Sequence, residues 1–386
     1  MAFRFDASTL PIWIIVGWVT TFLVGVDLFV VSTFLPLIGK EVGRSPQSLT
    51  VLVSAFGLAY AVACPIQGRI AERFSPKAVL IFGLSALAFA NVCTALAPDL
   101  VQLIISRVMA GIAAASISPM IYNLTANSAA PGRLASSLAI VNSGLILSLI
   151  LGAPVGLLLG SITEWRYVFL GLAAMLAVML PINQMSWPQP VACESKRAVA
   201  VKERLVDAWP FLACMVAWAA SVYMTYTLLG VALETRLHLD VWAVSLELST
   251  FGLGAMIGVL SGGRLADRLG ARRVIYISFV AMVAMFCVSA VVFDLEAPTL
   301  FALGLFFIGW SAYGFFPAIQ ATAASVFVAR RSTVLGFMSS SLYIGITLGS
   351  FFGGMIFNMS GMTLVLIASA IVASFGMAIV VALPKR

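Results

Sequence analysis

The sequence predicts an all-α integral membrane protein: twelve transmembrane helices in two pseudo-symmetric six-helix bundles. Three observations predict this. Apolar residues make up 62% of the chain and charged residues only 10%, with a mean hydropathy of +1.08. Soluble domains are roughly 45–50% apolar and about 25% charged, so lipid must solvate much of this surface. Hydropathy picks out twelve stretches long enough to cross a bilayer. Finally, a basic loop of one pattern occurs twice, 195 positions apart: Gly68-Arg-Ile-Ala-Glu-Arg-Phe-Ser-Pro-Lys77 and Gly263-Arg-Leu-Ala-Asp-Arg-Leu-Gly-Ala-Arg-Arg273. A membrane chain that repeats itself near its midpoint reads as two equivalent bundles.

In order, the spans fall near 11–36, 49–67, 78–97, 100–128, 135–160, 165–185, 208–233, 241–261, 274–293, 298–327, 333–357 and 362–383. Each covers a hydrocarbon core about 30 Å thick at 1.5 Å per residue. Helices are expected because each satisfies its own backbone hydrogen bonds. The N-terminal bundle is 1–185 and the C-terminal bundle 208–386. The linker between them, 186–207, carries Lys196, Arg197, Lys202 and Arg204. It reads as a solvated tether, with a short interfacial amphipathic helix as the alternative.

Basic residues set the orientation. With the N-terminus inside, seventeen of the 22 Lys and Arg residues fall on the inner side and four on the outer, leaving Arg107 within a span. Both termini are therefore expected in the cytoplasm. The net charge of +7 follows from this topology and argues for no nucleic-acid partner. The five cysteines are scattered without metal or disulfide spacing. The segment before the first span reads as a poor cleavable signal peptide.

The repeat extends beyond the basic loops. Gly111, Pro119 and Arg133 recur as Gly309, Pro317 and Arg331, all shifted by 198. Three ionisable residues lie inside spans, where an Asp or Arg costs roughly 2.5–3.5 kcal/mol on insertion scales: Asp27, Arg107 and Glu247. Counting from Pro36 and Asp99, Asp27 and Arg107 lie about 12–14 Å below the outer surface; Glu247 is shallower. Burial disfavours a carboxylate and a nearby cation favours it, so access and substrate can tip an acid such as Asp27 between states. Arg107 would tune that acid or hold an anionic group. Glu247 shares a face with Phe251, Gly254, Gly258 and Gly262, and is either a second coupling site or part of a packing stripe.

In the fifth span Gly144, Ser148, Gly152 and Gly156 line one face, suited to close helix approach, and Pro154 is expected to kink the helix. Gly345, Gly349 and Gly353 are the second-half counterpart, without the proline. Candidate pocket residues come from polar and aromatic stripes: Asn123 in the fourth span, Tyr223 and Tyr226 in the seventh, and Trp310, Tyr313 and Gln320 in the tenth. Aromatic walls with a few amides suit a planar or amphipathic small molecule.

These motifs resemble the major facilitator superfamily, in its twelve-helix drug–proton antiporter branch. The second loop, with Gly263, Asp267, Arg268, Gly270 and Arg272, is similar to that superfamily's Gly-x-x-x-Asp-Arg-x-Gly-Arg-Arg/Lys signature. In the first loop Gly68 and Arg73 match, while Glu72 replaces the Asp, Ser75 the Gly and Pro76 an Arg. Arg107 and Gly111 resemble its Arg-x-x-x-Gly motif; Gly144, Gly152, Pro154 and Gly156 resemble its antiporter motif; and Asp27 with Leu35-Pro36 resembles the acidic first-span motif of drug exporters. Glu234, Leu237-His238-Leu239 and Ser245 resemble bacterial purine-base and sugar-efflux permeases. The resemblance implies the major facilitator fold and a monomer in a bacterial inner membrane that exports a small organic molecule (a drug, nucleobase or nucleoside, sugar or similar metabolite) in exchange for protons, with no cofactor. The loop residues Gly68, Glu72, Arg73, Gly263, Asp267, Arg268 and Arg272 would act as gates. A proton symporter for uptake, and a non-transporting receptor or scaffold, are the alternatives. No phosphate-binding loop, His-Glu-x-x-His or Gly-x-Ser-x-Gly occurs, so neither direct ATP drive nor catalysis is expected.

Overall fold

A computed structural model describes residues 10–44, 48–162, 164–188, 204–239 and 241–383; side chains at 32, 33, 36, 48, 152–162, 241, 242 and 245 lie outside the described set. The linker residues 189–203 are therefore outside it too. The helices are α1 Ile12–Val42, α2 Val51–Arg73, α3 Pro76–Leu96, α4 Leu100–Ser128, α5 Leu134–Ile162, α6 Trp165–Ser186, α7 Trp209–Leu237, α8 Val241–Leu269, α9 Ala271–Asp294 and α10 Pro298–Val326. A final helical run, Arg331–Ile379, is two crossings, α11 (331–360) and α12 (362–379), because Gly361 turns the chain with φ 76°. That left-handed backbone is one only glycine adopts freely.

Local chemistry sets the helix ends. Ser75 caps α3 by accepting the Ala78 amide at 3.1 Å, with Pro76 at the first turn. Asp99 caps α4 by accepting the Gln102 amide at 2.8 Å. Helix α4 is not the uninterrupted rod that the sequence suggests. It breaks into Leu100–Ala114 and Ser118–Ser128. Pro119 has no amide and its ring crowds the carbonyl four residues back. The chain answers with tight bonds from Ser116 N to Ala113 O and from Ile117 N to Ala114 O.

Within each bundle the repeat is visible atom by atom. Gly111 of α4 rests on the Phe56 carbonyl of α2, and Gly309 of α10 rests on the Phe251 carbonyl of α8. Gly144 of α5 lies on Trp18 and Thr21 of α1, while Gly345 and Gly349 of α11 lie on Val216 and Ala220 of α7. A side chain at any of these glycines would collide with the neighbouring helix, as small-residue packing in membranes requires. Helix α5 is continuous through residues 134–162; the surroundings of Gly152, Pro154 and Gly156, and with them the expected kink, lie outside the described set. The bundles meet mainly through α2 against α11 and α5 against α8.

Candidate functional site

Asp27 and Arg107, from α1 and α4, meet in the N-terminal bundle. Arg107 Nη1 stands 3.3 Å from Asp27 Oδ1, and Nη2 donates to the Asp27 backbone carbonyl at 3.3 Å. Asp27 is 0% exposed and Arg107 1%. The guanidinium lies over the Phe56 ring, 4.7 Å from its centroid, a cation–π contact. Strong charge-assisted bonds are about 2.7–2.9 Å long, so this pair is loose. Asp27 Oδ2 and Arg107 Nε, both buried, have no hydrogen-bond partner. Such under-satisfied buried groups are expensive.

Next to the pair, between the bundles, is a cavity of about 40 Å³ lined by Val24, Leu28, Phe56, Tyr60, Ser118, Tyr122, Phe316 and Tyr343 among others. That volume admits a few waters rather than a substrate. The Tyr60 and Tyr343 rings meet across the bundle boundary with centroids 4.7 Å apart. In the C-terminal bundle, the Tyr223 ring lies 6.1 Å from that of Tyr226. Phe251 joins this group, 4.9 Å from Tyr226 and 6.2 Å from Tyr313. Tyr223, Tyr226 and Tyr313 belong to the polar and aromatic stripes of the sequence. Tyr60, Tyr122 and Tyr343 lie outside those stripes; each is the single tyrosine of its span.

The end of the molecule that carries the basic loops is interlocked. Asp267 of α8 accepts the Ala135 and Ser136 amides, at 3.0 and 2.8 Å, at the N-terminus of α5. Glu72 of α2 accepts the Thr333 amide at 3.3 Å at the N-terminus of α11. In each case an acid of one bundle meets the positive end of a helix dipole in the other. The loop glycines permit it. A Cβ on Gly68 would sit 2.6 Å from the Ser332 carbonyl oxygen, and one on Gly263 2.7 Å from that of Ala135. Across the bundles, these two acids thus meet helix N-termini. Arg73 and Arg268 are exposed. Arg272 donates to the Val381 carbonyl within its own bundle, at 2.8 Å.

Two of the sequence's pocket candidates belong to this interlock. Asn123 Nδ2 donates to Ser332 Oγ across the bundles and accepts from Asn127. Gln320 accepts from Asn142 of α5 at 2.7 Å. Trp310 points away from the central cavity: its Nε1 donates to Ser261 of α8 at 3.1 Å, beside a crevice within the C-terminal bundle. The expected shared face of Trp310, Tyr313 and Gln320 is thus divided among three environments. Glu247 is buried and its Oε2 has no partner; it does not line the central cavity. Towards the opposite end the bundles touch through apolar contact, Ile150 against Gly252.

Two repeated bundles, a cavity between them and a polar lock at one end define a multi-pass membrane transporter. The family model described as Major Facilitator Superfamily matches residues 17–246 and 210–386. The chain belongs to the Major Facilitator Superfamily. It is 26% identical over 346 residues to the uncharacterized MFS-type transporter YceJ of Bacillus subtilis (strain 168), covering 87% of each chain. It is 24% identical over 356 residues to YfhI of the same organism, another uncharacterized MFS-type transporter, covering 90% of this chain and 87% of that one. Among solved structures, a proton:xylose symporter, XylE, superposes with a TM-score of 0.81 at 13% identity, over 95% of this chain and 94% of that one. The human organic anion transporter MFSD10 gives 0.77 at 14%, over 96% and 100%. At these identities the likeness to solved structures concerns the fold. The relatives are transporters, and the chain is one rather than an enzyme.

Proposed function

We propose that this transporter is a proton-coupled exporter of a small organic molecule, working as a monomer by alternating access in a bacterial inner membrane. The buried, loosely bonded Asp27–Arg107 pair beside the inter-bundle cavity carries the proposal. A proton on Asp27 removes the charge that holds Arg107, so the pair has two arrangements that proton access can select. The basic excess at the interlocked end supports a cytoplasmic position for it. The conformation described is then closed to the cytoplasm, and Asp27 is buried in it; protons outside reach Asp27 once the opposite end parts. When Asp267 and Glu72 leave their helix termini the inner end parts, and the tyrosine-lined cavity widens to admit substrate from inside. In this reading Asn123 and Gln320 act as latches, and Tyr60, Tyr122, Tyr223, Tyr226, Tyr313 and Tyr343 form the wall that meets substrate. Glu247 is the reserve coupling site.

Asp27→Asn tests it, since the amide keeps size and hydrogen bonding but does not titrate. Vesicles holding a pH-sensitive dye are challenged with a metabolite library. Compounds that trigger proton movement in the parent should trigger none in Asp27→Asn, which should still exchange them down their gradients. Proton movement retained in Asp27→Asn and lost in Glu247→Gln would transfer the role to Glu247. If it is retained in both variants, proton coupling is wrong and the chain is a uniporter.

A further inference from the structure

The two repeated loops differ at the step into the next helix. In the first, the Ser75 hydroxyl caps α3. In the second, Gly270 holds that place with φ 90°, and no side chain caps α9. The first turn of α9 has no acid either; it carries Arg272 and Arg273. Cations there oppose the helix dipole, so this terminus is short of negative charge. The acid that precedes it in the sequence, Asp267, bonds instead to the Ala135 and Ser136 amides.

Beside this terminus is a groove of about 980 Å³ whose lining includes Arg268, Arg272, Arg273, Tyr276, Ile277 and Val381 and, among the described residues, no carboxylate. The bond from Arg272 to the Val381 carbonyl ties its two walls together. The α9 wall is basic at its start and turns apolar and open one turn on: Tyr276 is 47% exposed and Ile277 50%, in a membrane span that begins at Ala271.

We propose that this groove binds an anionic phospholipid. The phosphate sits against the α9 amides and the Arg272 and Arg273 guanidiniums, and the acyl chains run along Tyr276, Ile277 and Val381. Helix N-termini with added arginines bind phosphate oxygens. The apolar part of the α9 wall, continuous with the lipid-facing surface at headgroup depth, selects lipid over free phosphate. The first loop lacks the features: its terminus is capped by Ser75, and Lys77 and Ala78 stand where the second has Arg272 and Arg273. The site is independent of substrate and of proton coupling.

Native mass spectrometry and thermal unfolding of the purified full chain test this, with phosphatidylglycerol, phosphatidylcholine or millimolar inorganic phosphate added. Phosphatidylglycerol should be retained and should raise the Tm; phosphatidylcholine and phosphate should not. Arg273→Gln should weaken retention about five-fold, the effect of one basic residue near an anionic surface. Arg272→Gln with Arg273→Gln should abolish it, and Lys77→Gln in the first loop should leave it unchanged. Three results overturn the proposal: equal retention by Arg273→Gln, an equal loss with Lys77→Gln, or equal stabilisation by inorganic phosphate, which would mark a simple anion site.

Discussion

The two bundles share a packing scheme and differ in their charges. The shift of 195 that relates the basic loops carries Asp27 to Val222 and Phe56 to Phe251, and the shift of 198 that relates Gly111 to Gly309 carries Arg107 to Leu305. Asp27, Val222, Phe56, Phe251, Arg107 and Leu305 are all buried. In the first bundle Phe56 lies under a guanidinium. In the second, Phe251 lies between Tyr226 and Tyr313. The contacts of Gly111 and Gly309 on those phenylalanines are nevertheless the same. The fold therefore does not require the ion pair, since its twin builds the same packing from Val222 and Leu305. What a repeat keeps is what packing needs; what it holds in one copy only is where to look for function.

The largest expected effect comes from making the first bundle resemble the second. Arg107→Leu alone leaves Asp27 buried without its cation and should cost about 3 kcal/mol of stability. Asp27→Val with Arg107→Leu, the residues of the second bundle, should recover most of that loss, since well-packed apolar replacements of buried pairs are often neutral or stabilising. Transport should nonetheless be absent from the double variant. Thermal unfolding in detergent alongside vesicle transport separates the two outcomes. A double variant no more stable than Arg107→Leu would mean that the pair is structural and that the bundles differ in folding, not only in function.

Much of this comparison was legible in the sequence. The twelve crossings, the repeated loops and the common depth of Asp27 and Arg107 follow from hydropathy and counting. The assignments of Asn123, Gln320 and Trp310 did not follow. In a soluble helix the polar face marks the outside. In a membrane helix both lipid and core are apolar, so a polar residue shows only that it avoids lipid, not which neighbour it meets. Asn123 and Gln320 avoid lipid by bonding across the bundles, and Trp310 by bonding to Ser261. Periodicity gave their faces but not the rotation of one bundle against the other. The break in α4 was signalled by Pro119, yet continuous hydropathy over 100–128 concealed it.

A smaller effect should separate the two gates. Asp267 accepts two short bonds from α5, and Glu72 one longer bond from α11. A hydrogen bond to a charged group contributes about 1.5–3 kcal/mol. Asp267→Ala should thus open the basic end at least ten-fold more often, and Glu72→Ala by less. Labelling of a cysteine introduced at Ser137, buried near the Asp267 contact, reads that opening. Equal labelling in the two variants would show that the gates bear equal load despite their unequal geometry.

The smallest effect belongs to the opposite end, where Glu41 lies beyond the apolar part of α1. Its carboxylate accepts hydrogen bonds from Arg166 and from Trp165 Nε1, at 2.5 and 2.9 Å. The Arg166 bond, against some desolvation, holds the Glu41 carboxyl below its ordinary value of 4.5. A depressed carboxylate contributes stability above its unfolded pKa and loses it as pH falls through the folded one. The parent should therefore unfold at a slightly higher temperature than Glu41→Gln at pH 7. That gap should narrow as the pH drops below about 4.5. Because the pair is half exposed, its contribution is screened, and added salt should also shrink the gap. A gap that stays constant with pH and salt would assign the stabilisation to the Trp165 contact and packing rather than to charge.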